Sequence, residues 1–140
     1  MRSIKVAFWV AVIVTAIVLL VPGDTVLATR VGVASWLPMA AVRDAVDVTE
    51  HADKLVHASM FAILGALGIR GWQQAHQHWR VLAFLLGLGV VTEALQSLVP
   101  GRSASIWDWL ADAIGVLLGI GFGTRVIRQY FGMAVVSKGV

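Results

Sequence analysis

Apolar residues run along this chain in four long blocks separated by polar stretches, with no two-residue alternation that would signal strands. A helix needs about 20 mostly apolar residues to cross a bilayer. The first block, Val6 to Val21, reads VAFWVAVIVTAIVLLV without one charge and lies between Lys5 and Pro22-Gly23. The second, Leu55 to Ile69, is bounded by Lys54 and Arg70 and spans if those two long side chains snorkel to the interfaces. The third, Val81 to Val99, contains Glu93, and the fourth, Ile106 to Val126, carries Asp108 and Asp112 in its first two turns. The pattern predicts an all-α integral membrane bundle of four transmembrane helices, a single domain over residues 1–140. The first block also resembles a signal peptide, with a basic start and a cleavage-like Val26-Leu27-Ala28, but its apolar run is long for one.

Lys and Arg set the expected orientation, because the cytoplasmic side carries their excess. Seven fall on one side, namely Arg2, Lys5, Arg70, Arg80, Arg125, Arg128 and Lys138, and four on the other, namely Arg30, Arg43, Lys54 and Arg102. Both termini are therefore expected in the cytoplasm. All eight Asp and Glu fall in the outer half. The first extracytoplasmic loop, about Gly23 to Asp53, is long. Its stretch Val26 to Val46, with Trp36, reads either as an interfacial helix or as a loop folded over the bundle.

Composition agrees with a membrane protein. Hydrophobic residues make up 59% of the 140 and charged residues 14%, against about 25% charged in soluble domains. There is no Cys, which removes disulfide scaffolds, zinc–thiolate sites and thiol nucleophiles together. The net charge of +3 suits a membrane protein as well as a nucleic-acid binder, and nothing beyond net charge points to nucleic acid.

Ionisable side chains within apolar blocks are costly, so each marks a candidate site. Asp53, Lys54 and His57 open the second helix, with Asp53 and His57 four apart on one face. Glu93 and Gln96 lie three apart near the end of the third. Asp108 and Asp112 lie four apart at the start of the fourth. Alternating topology brings these three helix ends to one depth, where they form either a site or a structural polar knot. In the connection VPGRSASIWDW, Pro100-Gly101 signals a turn, and Ser105 with Asp108 has capping-box spacing. Arg102 stands against the dipole of the fourth helix, so it either pairs with Glu93, Asp108 or Asp112, or joins free N–H groups in holding an anion.

Ala111, Gly115, Gly119 and Gly123 form a small-residue stripe along the fourth helix, a packing surface for another helix of this chain or of a second copy. Gly65, Gly68, Gly87 and Gly89 offer similar flat patches. His76 and His78 form an H-x-H pair in the stretch WQQAHQHW, read as a solvated loop because no acid lies on that side. Five of the six Trp, Trp9, Trp72, Trp79, Trp107 and Trp109, fall near the expected interfaces. No motif in the linear sequence calls for a metal or another cofactor.

Two segments resemble the VanZ-like family, small bacterial membrane proteins named for a teicoplanin-resistance accessory protein. The first is DKLVHASMFAILG, with Lys54, His57, an aromatic Phe61 and Gly65. The second is TEALQSLVPGRSASIWDWLADAIGVLLG, with Glu93, Gln96, the Pro-Gly-Arg turn, an Asp and a closing Gly. The resemblance covers Asp53 to about Gly119. One departure is Asp112, where the family usually has Asn; an Asp adds a charge there, or a proton-sharing partner for Asp108. The resemblance implies a multipass protein of the bacterial cell envelope and a link to glycopeptide resistance. It supplies no reaction.

The residues support three functions. A binding module would recognise an anionic envelope-precursor or lipid headgroup in the outer leaflet, using Asp53, Lys54, His57, Glu93, Gln96, Arg102, Ser105, Asp108 and Asp112. A membrane enzyme acting on a lipid-linked glycan or phosphate would use His57 with Asp53 or Glu93 as an acid–base pair, and Ser103 or Ser105 as nucleophile. A structural protein would use the polar knot for packing and act through partners, including a homo-oligomer through the glycine stripe.

Overall fold

The computed structural model describes residues 2–22, 25 and 49–136, with side chains for 2–22, 25, 53–74 and 76–126. The cleavage-like Val26 to Ala28 and the stretch Val26 to Val46 lie outside the described residues. Four helices are described: α1 Arg2–Leu19, α2 Thr49–Gly71, α3 Ala75–Gln96 and α4 Ile106–Val136. Three of them, over Arg2–Leu19, His76–Gln96 and Ile106–Val126, are long and apolar enough to cross a membrane. Together the four form an all-helical bundle, as the four apolar blocks predict.

The bundle is inverted relative to a soluble protein. Large apolar side chains such as Ile17 (62% exposed) and Leu118 (65%) point outward, while His57, Thr92, Glu93, Gln96 and Asp112 are each at most 6% exposed. That distribution suits hydrocarbon around the bundle, where polar groups must find partners inside. Phe8, Leu19, Phe61, Leu64, Val81, Leu85 and Val116 make the apolar core.

The closest pair is α2 with α4. A Cβ added to Gly115 would meet the Ala58 carbonyl oxygen, and one added to Gly119 would meet that of Ala62. One built on Gly65 would lie 2.6 Å from the Val116 carbonyl oxygen, and one on Gly123 would lie 3.2 Å from that of Ala66. Without an aqueous driving force between helices, such close backbone approach supplies much of the attraction. The matched steps of four residues show that α2 and α4 run parallel, and the stripe Gly115–Gly119–Gly123 faces α2 of the same chain. Short connections make α3 antiparallel to both.

At the end where α2 finishes and α3 begins, Phe8 packs edge-on against Trp72 (5.1 Å between centroids) and Lys5 Nζ sits 5.1 Å over the Trp72 ring. This basic end also carries Arg70 and Arg80. The opposite, acidic end collects the last turn of α1, the start of α2, the end of α3 and the start of α4.

Several boundaries differ from the apolar blocks. The helix α2 starts six residues before Leu55, because Thr49 to Lys54 continue it as a polar first turn and a half. The helix α3 starts at Ala75, so His76 and His78 belong to its first turn and not to a loop. At offset two they point to different sides of the helix.

Candidate functional site

The Gly115–Ala58 contact fixes the geometry at the acidic end. It brings α4 so close to α2 that Asp112, one turn earlier on α4, meets His57, the neighbour of Ala58. Asp112 Oδ1 lies 2.9 Å from His57 Nδ1, with the His side chain 2% and the Asp side chain 1% exposed. Gly89 on α3 makes room from the other side: a Cβ there would stand 3.1 Å from Asp112 Oδ2 and 3.2 Å from Trp109 Cδ1. The Trp109 indole donates to the Leu86 carbonyl (3.3 Å), a further tie between α3 and α4.

Gln96 orders the cluster. Its Nε2 donates to the Leu19 carbonyl at the end of α1 (2.9 Å) and lies 3.5 Å from His57 Nε2. The Leu19 carbonyl can only accept, so the NH2 end of the amide is the end that faces the ring. A neutral His57 ring in this network would accept at Nε2 and donate from Nδ1 to Asp112.

Glu93 has two jobs. Its Oε2 accepts from the Ser105 backbone N–H at 2.7 Å, and its Oε1 lies 3.9 Å from His57 Nδ1. Ser105 does sit immediately before α4, and its carbonyl accepts from the N–H groups of Asp108 (3.1 Å) and Trp109 (3.2 Å). The capping box differs from its usual form, in which the acid three residues on returns to the N-cap N–H. Here that N–H is satisfied by Glu93 from α3, while Asp108 stands half-buried in the first turn of α4.

Arg102 follows a turn built on Gly101, whose φ of 73° suits glycine. Its Nε donates to the Val21 carbonyl at 3.3 Å, and its Nη1 stands 3.9 Å from Asp53 Oδ2. Among the described residues its carboxylate partner is Asp53 on α2, in place of the Glu93, Asp108 or Asp112 suggested by the linear order. The reason is the turn, which carries Arg102 to the ends of α1 and α2. Asp53 and Lys54 are half-buried at this mouth.

The fold therefore divides the nine candidate residues into two layers. His57, Glu93, Gln96 and Asp112 form a buried floor, and Asp53, Lys54, Arg102, Ser105 and Asp108 surround it at the acidic end. His76 and His78 lie at the other end of α3. Sequence reasoning missed the carbonyls of Leu19 and Val21, which accept from Gln96 and Arg102. Backbone acceptors at a helix end carry no residue-type signal, although the last carbonyls of any helix need partners.

Chemically, the floor can orient an imidazole, share a proton between His57 and Asp112, or present carboxylate oxygens to a cation. Among the described residues, the His57 ring nitrogens face Asp112 and Gln96, and Ser105 meets the cluster through its backbone N–H to Glu93.

A family model described as VanZ/LLP1 matches residues 6–127. No curated protein and no solved structure matches the chain.

Proposed function

The chain belongs to the VanZ/LLP1 family of membrane proteins, and on that basis we propose that it binds the anionic headgroup of an envelope lipid or lipid-linked precursor at its acidic end. The observation that carries this reading is the setting of Arg102. Its Nε is anchored to the Val21 carbonyl, while its Nη fork stands at 3.9 Å from Asp53, beyond hydrogen-bond distance. A guanidinium held in this way can turn its fork to a phosphate in bidentate fashion. Lys54 is close by in sequence on α2 and adds a second cation to the mouth.

The excess of Lys and Arg at the opposite end supports a mouth in the outer leaflet of the cytoplasmic membrane, with both termini in the cytoplasm. Such a site would meet lipid-linked cell-wall precursors, and holding one of them there would connect the protein to glycopeptide resistance.

Native mass spectrometry of the full chain with bacterial envelope lipids tests the proposal. Wild type should retain a phosphate-bearing lipid that Arg102→Ala loses, with both proteins equally helical. Equal adducts on both, or none on a folded wild type, would overturn it.

A further inference from the structure

The buried floor presents an electrostatic problem that the hydrogen bonds leave unsolved. Glu93 and Asp112 are buried within a bundle whose outer surface is apolar, and their ion-pair partner is His57. No Lys or Arg among the described residues pairs with either; Arg102 goes to Asp53. One oxygen of each carboxylate, Glu93 Oε1 and Asp112 Oδ2, is buried without a hydrogen-bond partner. Even a protonated His57 ring would bring one positive charge to two carboxylates. Uncompensated buried carboxylates are strongly unfavourable, and unpaired ones call for a partner.

The same three residues have the composition of a metal site. His57 from α2, Glu93 from α3 and Asp112 from α4 each offer one ligand atom, and these atoms lie within 4.8 Å of one another. We propose that this cluster binds one divalent transition-metal ion of the zinc or manganese class, with His57 Nδ1, Glu93 Oε1 and an Asp112 carboxylate oxygen as ligands. One imidazole and two carboxylates suit such ions, which accept mixed nitrogen and oxygen donors. Bonds of about 2.1 Å at a tetrahedral centre place donor atoms about 3.4 Å apart. The separations of His57 Nδ1 from Asp112 Oδ1 (2.9 Å) and from Glu93 Oε1 (3.9 Å) bracket that spacing.

The surroundings fit an ion as well. Glu93 keeps its Oε2 bond to the Ser105 N–H, which orients Oε1 toward His57. The three ligands come from three helices, at positions 36 and 19 residues apart, so no local spacing in the sequence marks the site.

The inference goes beyond the headgroup reading and does not rest on it, because its test uses the ion alone. Purified full chain in detergent, stripped with chelator and dialysed, is titrated with Zn2+ and with Mn2+, followed by elemental analysis and calorimetry. The wild type should hold about one ion per chain, and Asp112→Asn and Glu93→Gln should each weaken binding at least about tenfold. Both substitutions keep shape and a hydrogen-bond acceptor, and helix content by circular dichroism checks that the fold is intact. Asp112→Asn alone decides the matter if Glu93→Gln fails to fold, since its amide oxygen still accepts from His57 Nδ1. A bound ion should also raise the thermal unfolding temperature of the wild type more than that of Asp112→Asn at the same ion concentration. A folded wild type that takes up neither ion, or variants that bind as tightly as wild type, would overturn the proposal.

Discussion

Gln96 near the end of α3 donates a hydrogen bond to the main-chain carbonyl of Leu19, 77 residues earlier, at 2.9 Å. The bond ties α1 to the polar cluster through an acceptor that no side-chain substitution in α1 can remove. Gln96→Leu removes the donor, leaves a carbonyl unsatisfied in an apolar setting and frees the His57 ring. The expected loss is about 1 kcal/mol, the usual scale of a hydrogen bond between membrane helices, measured by denaturant unfolding in mixed micelles. Gln96→Glu should lose as much or more, because its carboxylate faces the same carbonyl without a donor.

Glu93 is expected to separate capping from charge. Glu93→Ala leaves the Ser105 N–H without its acceptor and should cost about 1 kcal/mol, as loss of an N-terminal cap does. Glu93→Gln keeps an acceptor for that N–H and should retain most of the stability. Hydrogen exchange at the first turn of α4 would show the difference directly: faster in the Ala variant, near wild type in the Gln variant.

The close approach of α2 and α4 predicts a sharp contrast among glycines. Gly119→Ala places a methyl group against the Ala62 carbonyl and should destabilise by about 1–3 kcal/mol, as overpacking does. Nothing lies within 4 Å of a Cβ added at Gly121. Gly121→Ala should therefore be neutral, or stabilising by up to about 1 kcal/mol from helix propensity. Equal effects at the two positions in a thermal unfolding assay would contradict the packing described.

Orientation can be read chemically because the chain has no Cys. Ser103 and Gln73 are exposed at opposite ends of α3 and its flanking turns. In intact cells, a membrane-impermeant maleimide should label Ser103→Cys and spare Gln73→Cys until the membrane is permeabilised. The reverse pattern would place the polar mouth in the cytoplasm.

The helices were unequally legible in the sequence. The blocks that became α1, α3 and α4 announce themselves by unbroken apolar length. The helix α2 does not, because Asp53, Lys54 and His57 crowd its start and Arg70 its end. What makes it part of the bundle is contact with α4, through glycines and alanines whose role depends on which face they present. The buried layer was legible for the same reason it is costly: His57, Glu93, Gln96 and Asp112 are conspicuous among apolar neighbours. Their partners were not. Arg102 reaches Asp53 because a turn redirects the chain, and Glu93 caps a helix other than its own. Gly87 and Gly89 look alike in sequence, yet a Cβ at Gly87 meets nothing within 4 Å, while Gly89 gives Asp112 its space.

The dispersal of the polar floor over α2, α3 and α4, with a tie to α1, also bears on how the protein is made. Helices leave the ribosome in order, and His57 arrives long before Asp112 exists to pair with it. Until α4 is synthesised, α2 and α3 carry polar groups whose partners are missing. Newly made α2 and α3 should therefore linger beside the insertion machinery, and chains truncated before Ile106 should be released poorly into lipid and degraded early.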